Sequence, residues 1–421
     1  WGISVEGNQK NIFLGECDTK LHVNGCGYGS SQSFFDPDTN TPILQGGVLL
    51  GETKYLEALG FYVYHGTIQT AQLNNVFVEE NGPIGFNFGI VSNLTVQNSS
   101  FSYNTDSREV GYDILGFSTP NWNAVYPIAY TGNPKLDDYS SSVQFLNCRI
   151  DKNSTTRSGV PHICTSLIAW NINGLTIKGC TFNSNTGINS RGGYGVVGLT
   201  LAGCTGVVVE DSTADANSNV GIVGSVESAR TEGFHHSGLN LIIPPPDVTS
   251  SHGAVYRNCS AVGNKSQTDI RPSAGGFGFY YADGLTVDNC VATHNEAVAR
   301  NPIGGASITR GILATGDYGL ATAEMTNILI KNCHVTNNTT NIVNGAAVGI
   351  LIWDPAFSVV VDNCVSQGNR APVNDAGVWL NGANQGMVVK NCTIHDQTLG
   401  IYDDGSTKSV YQDNVINNSA V

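Results

Sequence analysis

Methionine is nearly absent, with 2 residues in 421, and charge is scarce: Asp, Glu, Lys and Arg together make up 13% of the chain, about half of ordinary usage. Long solvated helices are built from the charged, straight-chain residues that are missing here, so a helical protein is disfavoured. Cations are the scarcer sign, 20 Lys and Arg against 34 Asp and Glu, for a formal net charge of −14. Such a surface repels phosphate, which argues against nucleic acid as a partner. No run approaches the roughly 18 apolar residues that cross a bilayer, so no membrane span is expected. None of the 11 Cys stands in a C-x-x-C pair, which removes the usual zinc and redox motifs. No loop carries the dense oxygen-ligand spacing of a calcium site. The acid excess leaves calcium as the one ion to consider, and no other cofactor is implied. No signal peptide is visible and the chain begins at Trp1. A processed N-terminus on a secreted or cell-surface protein is the expectation.

What is plentiful is Gly, at 50 residues, together with Asn, Val and Thr in a recurring phrase. The phrase is an apolar triplet, a polar residue, Asn and Cys, then alternating residues and a second Asn. It reads LTIKGCTFNSN at 175–185, LTVDNCVATHN at 285–295 and ILIKNCHVTNN at 328–338. With the Cys slot as anchor, the series is Asn75, Ser99, Cys148, Cys180, Ser212, Cys259, Cys290, Cys333, Cys364, Cys392 and Asn414. The steps are 22–32 residues, widened to 43–49 at three insertions near 112–140, 218–250 and 296–326. A period of this size with alternating polarity marks a β solenoid rather than helical repeats.

Gly-led segments precede the anchors: GLTL (198–201), GLNL (238–241), GFYY (278–281), GILI (349–352), GVWL (377–380) and GIYD (400–403). Each coil is therefore read as three short strands, the Gly-led one first, the apolar triplet second and a third starting at the Cys slot. Two Asn columns fall at bends, one just before the anchor (Asn98, Asn147, Asn258, Asn289, Asn332, Asn363, Asn391) and one five residues after the anchor (Asn104, Asn153, Asn185, Asn217, Asn264, Asn295, Asn338, Asn369). Both are read as inward amides that bond the coils above and below. The anchor Cys are read as a stacked, buried thiol column, with disulfides between coils as the alternative.

Strand order, the Asn column at the bend and the inward Cys column resemble the pectate-lyase-like superfamily of right-handed parallel β-helices over roughly residues 70–419. The expected fold is an all-β, right-handed parallel β-helix of about eleven coils. Residues 1–70 would form an N-terminal cap with early coils, and 71–421 the solenoid. The superfamily hosts lyases, hydrolases, epimerases, adhesins and tailspikes, so the resemblance implies a polysaccharide partner without choosing a reaction. In the superfamily the substrate cleft flanks the outer face of the first strand.

Alternation places Tyr280, Trp353, Trp379 and Tyr402 outward on that strand, where aromatic rings would stack on sugars, with Asn240 and Arg191 as polar neighbours. A lyase or epimerase needs a base and cations beside an acid group, for which His235, His236 and Arg271 are the first candidates, in a set of loop residues that also holds Arg157, His162, Arg191, Arg230 and Arg310. A hydrolase needs two carboxylates, drawn from Asp113, Asp283 and Asp354, with Asp375, Asp403 and Asp404 as further candidates beside the stripe. The rival class is a non-catalytic adhesin, tailspike-like or surface structural protein. In that class the stripe, or the C-terminal end of the solenoid (read as uncapped), would contact another copy of the chain.

Overall fold

Repeats stacked in register require each strand to find its partner one coil away, and in the computed structural model of the protein the strands do so. Side chains are described over residues 69–80, 92–103, 141–154, 166–188, 195–237, 253–303, 307–316, 325–353 and 356–418, apart from 168, 170, 171, 222 and 224–228; elsewhere only strands are described. Among the described residues there is no helix. Twelve strands, from Ile3–Val5 to Leu399–Asp404, form the first sheet, and fourteen form the second. All pairings along these sheets are parallel, as where Leu199, Phe234, Phe277, Ile312, Ile350 and Val378 align across six successive strands. Strands from the first 70 residues, Ile3–Val5, Gln9–Leu14 and Val48–Leu50, already join these sheets.

The expected three strands per coil become four. After the second sheet comes a six-stranded one that begins just past the anchor, at Ser260–Val262 and its successors. A seven-stranded one then follows the inner Asn, as at Glu296–Ala299. A second correction concerns register. The first-sheet strand in the 230s is Ser228–Ser237, carrying GFHHS, and not GLNL at 238–241. Residue 240 lies outside the described residues.

The inner Asn column is a continuous amide ladder. Each Nδ2 donates to the next Oδ1, at 2.7 Å from Asn185 to Asn217, 2.8 Å from Asn295 to Asn338 and 2.9 Å from Asn338 to Asn369. Each Oδ1 also accepts a backbone N–H from the coil before, so no bend is left with a buried unpaired amide. The column before the anchor differs from expectation. It lies outside the coil, largely exposed, with φ of 51–56°, a left-handed turn conformation that Asn tolerates. There Asn289 donates to Asn258 Oδ1 at 2.8 Å and Asn363 to Asn332 Oδ1 at 2.9 Å.

The eight described Cys are all free and buried. Each column thiol leans on the carbonyl two residues back, as Cys333 does on Lys331 O at 3.1 Å, and burial pushes the Cys148 thiol up, out of the reactive range. Cys17, Cys26 and Cys164 lie outside the described side chains. In the last described coil the inward slots turn polar. Asp403 aligns with Leu380 and Tyr411 with Val389, and the exposed Tyr411 hydroxyl donates to Asp403.

The first-sheet Gly slot is sterically required. A Cβ at Gly276 would lie 2.7 Å from both Ala292 Cβ and Gly311 O, and one at Gly311 would lie 2.7 Å from Gly349 O. The third-strand residue opposite fills the space, so the strand enters the coil only where no side chain exists.

The ladder gives a first prediction. Asn338→Leu strands several buried partners at about 1–3 kcal/mol each, and should lower stability by at least about 3 kcal/mol. Asn337→Leu is exposed and loses only its tolerance of positive φ, about 1 kcal/mol. Denaturant midpoints of the two variants check the order, and a larger loss at 337 would reverse the assignment.

Candidate functional site on the outer face of the first sheet

The first sheet turns one face into the coil and the other outward, and the two faces form separate clusters. Phe234, Phe277, Phe279 and Ile312 belong to the main core. Tyr280, Leu313, Val348 and Leu351 form a second cluster, against which Trp353 and Trp379 pack. Within that outward face, three neighbouring strands, Ser228–Ser237, Arg271–Tyr280 and Ile308–Thr315, bring together a group of polar side chains. Their register aligns Glu232 with Gly275 and Arg310, and His235 with Gly278 and Leu313.

Glu232 is the centre of this group and is fully buried. Its Oε1 accepts from Arg230 Nη2, from Arg310 Nη2 at 2.7 Å and from the Tyr280 hydroxyl at 3.0 Å. Its Oε2 meets His235 Nδ1 at 2.8 Å. Arg310 Nη2 also donates to the Tyr280 oxygen at 3.2 Å, and the Arg230 guanidinium lies 4.8 Å from the centre of the Tyr280 ring. His235 stacks on the same ring at 4.7 Å. The vacancy at Gly278 makes this meeting possible, since a Cβ there would sit 2.7 Å from Glu232 Oε1 and 2.9 Å from the Tyr280 ring.

Burial alone would push the Glu232 carboxyl up. Arg230, the hydrogen bond from His235 and Arg310 together overcome it and hold the group well below the usual carboxylate range. His235 is lowered, chiefly by burial. Glu232 pulls the other way, and the two guanidinium groups add to the lowering. The cluster thus holds an ionised carboxylate, two cations, a phenol and a neutral imidazole.

Of the sequence candidates, His235 and Tyr280 enter this cluster, but Tyr280 is buried, not exposed as expected, because the cluster closes over it. His236 is inside the coil and not in any cleft. It is fully buried, with its Nδ1 3.0 Å from the Tyr256 hydroxyl, since neighbours on a strand point to opposite faces. Arg271 is exposed at the opposite end of the ten-residue strand from Tyr280. Asp283, in the short strand Ala282–Asp283 beyond Tyr280, is held by Thr326 Oγ1 and by Asn327 Nδ2 at 3.1 Å. Trp353 and Trp379 are half-buried, and of the proposed stripe only Tyr402 is exposed, its ring 5.4 Å from Trp379. Asp113, Asp354, Arg191 and Asn240 lie outside the described side chains. Arg230 and Arg310, expected in loops, stand instead on first-sheet strands, and Glu232, missed in the sequence, carries a signal only once GFHHS is taken as the strand. The Gly slot at 233 breaks the alternation, and so Arg230 and Glu232 share the outward face with His235 while Phe234 enters the core. Among the described residues no three His, Cys, Asp or Glu converge as metal ligands, and no helix is long and apolar enough to cross a membrane.

These features define the class: the chain is a right-handed parallel β-helix. A family model described as a right-handed beta helix region matches residues 301–421. No curated protein sequence matches. Solved structures similar in course include PfbA, a surface adhesin of Streptococcus pneumoniae, at 12% identity and TM-score 0.34, covering 84% of this chain and 85% of that one. The A-module of the mannuronan C-5 epimerase AlgE4 from Azotobacter vinelandii matches at 13% and 0.37, covering 84% and 87%. A family 28 exopolygalacturonase of Yersinia enterocolitica matches at 9% and 0.32, covering 83% and 72%. At these identities and TM-scores they say nothing about the chemistry of this chain.

The buried His236 gives a pH prediction. Burial, then the neighbouring His235, lower it from 6.5 to about 3. Between those values the unfolded chain binds a proton that the folded chain refuses. Stability is therefore lost as pH falls through this window, by up to about 1.4 kcal/mol per pH unit. Denaturant midpoints from pH 7 to pH 5 should fall less in His236→Phe than in the parent, and equal slopes would place His236 in contact with water.

Proposed function

We propose that the protein acts on an acidic polysaccharide laid along the outer face of the first sheet, by proton abstraction as in a lyase or epimerase. The supporting observation is the Arg230–Glu232–His235–Tyr280–Arg310 cluster, in which cations that can neutralise a sugar carboxylate stand beside a neutral imidazole able to take a proton. Hydrolysis needs a second carboxylate at about 5–9.5 Å, one of the pair protonated. Among the described residues Glu232 is the one carboxylate of the cluster, and its cations keep it ionised. Trp353, Trp379 and Tyr402, on the same face towards the C-terminal end, would stack on further sugar rings. A polymer of this kind puts the protein outside the cell or at its surface.

One observation favours the non-catalytic alternative, an adhesin or surface structural protein. Glu232 is wholly buried with every bond met inside the chain, as in a network that only holds strands together. In that case the half-buried aromatics would contact a partner, including a second copy of this chain.

Incubation with a panel of uronic-acid polysaccharides separates the two. Appearance of the ultraviolet absorbance of unsaturated sugar ends, or of epimerised residues by NMR, is expected. His235→Gln should reduce it by about 100-fold or more, with the parent's circular dichroism spectrum retained. Glycan binding without turnover, or a dimer in solution with neither, would select the alternative.

A further inference from the structure

The cluster contains two groups able to exchange a proton, and the hydrogen bonds distinguish them. The Tyr280 hydroxyl donates to Glu232 Oε1 while its oxygen accepts from Arg310, so both of its capacities are used inside the cluster. His235 has one nitrogen engaged: Nδ1 faces Glu232 Oε2 at 2.8 Å. A carboxylate that is ionised can only accept, so the hydrogen between them belongs to Nδ1. Nε2 of the neutral ring then carries the lone pair. The ring is 6% exposed, on the outward face of the sheet.

We propose that Glu232 is a positioning residue that fixes His235 in the Nδ1–H tautomer, so that Nε2 of His235, and not the Tyr280 oxygen, is the proton acceptor of the site. The inference rests on the reading of the site as one for proton abstraction. In that step the substrate carbon–hydrogen bond breaks and the proton goes to Nε2. The electron pair stays on the carbon beside the sugar carboxylate, and the Nδ1–H bond to Glu232 is untouched. The groups facing His235 are Glu232 and Arg230 on its own strand, Tyr280 on the next and Arg310 on the one after. Burial keeps the resting imidazole neutral and its lone pair free, in a cluster whose two guanidinium groups and one carboxylate leave one net positive charge. A bound sugar carboxylate cancels that charge and makes the imidazolium easier to form, so the substrate itself prepares the base. Gly278 is the second positioning element, because any side chain there would drive Glu232 away from Nδ1.

Nitrogen-15 NMR of protein labelled at its nine His reads the tautomer without any ligand. The His235 signals are identified by their loss in His235→Gln. The expected result is a neutral ring at pH 7 with the proton on Nδ1, against the Nε2–H form that free imidazole side chains favour. Glu232→Gln should return the ring to the solution mixture, while Glu232→Asp retains part of the bias. A proton on Nε2, or a charged ring at pH 7, in the parent protein overturns the proposal even if Glu232→Gln does not fold. The two readings fail separately. A correct tautomer with no turnover of any polysaccharide sinks the proposed function, and with it the acceptor role, and leaves the positioning of His235 by Glu232 standing. Turnover that survives His235→Gln sinks this inference alone.

Discussion

Each residue of the solenoid has, one coil away on either side, the residue that fills the same slot, and the parallel backbone ladder holds the two at a spacing of about 4.8 Å. A slot must therefore be filled by something that stacks well on itself. Thiols do, because each has a carbonyl of its own strand to lean on. Amides do, because Nδ2 of one meets Oδ1 of the next. Charges of one sign do not, and the slot two residues before the anchor shows the solution. It runs Lys178, Glu210, Arg257, Asp288, Lys331, Asp362, Lys390, with Arg257 at 2.8 Å from Glu210 and Lys331 at 3.2 Å from Asp288. These pairs are part-exposed and individually weak, but a slip of one coil would place like charges together, so the series favours a single register.

The same constraint explains the outward cluster. Glu232 and Arg310 lie in one column with Gly275 between them, and His235 and Leu313 flank Gly278 in the next. Two empty slots on the middle strand let groups from the strands on either side reach across it. A buried carboxylate is costly unless its bonds are all met, and here four donors meet them. The geometry is thus produced by the absence of side chains as much as by their presence, and it converts a structural ladder into a place where charge is concentrated in a low-dielectric setting.

The repetitive part of this arrangement was legible in the sequence. Cys333 and Asn338 occur in slots that recur many times, so their inward placement follows from counting. The outer Asn column was misplaced because a bend offers an Asn two environments, and spacing alone does not distinguish an inward amide from a left-handed turn residue. The site was mostly illegible for the opposite reason. It occupies slots in which neighbouring coils differ, Val197, Glu232, Gly275 and Arg310 in succession, so no repeat announces it. GLNL at 238–241 imitates a Gly-led strand, and taking it as one moved Glu232 out of the sheet. With Gly233 in the Gly slot, His235 and His236 separate at once onto opposite faces. Tyr280 was assigned to the outward face, but a face being outward does not make it wet, and its burial depends on neighbours that alternation does not reveal.

The central claim is that coil register brings Glu232 and Arg310, 78 residues apart in sequence, into one buried charge pair on which the site is built. A double-mutant cycle tests it most directly, with Glu232→Gln, Arg310→Met and the combined variant compared by denaturant unfolding. A coupling energy of about 1–3 kcal/mol is expected, the double variant losing less than the sum of the singles because neither leaves the other unpaired. Losses that add, within about 0.5 kcal/mol, would show that the two side chains do not meet and would contradict the account.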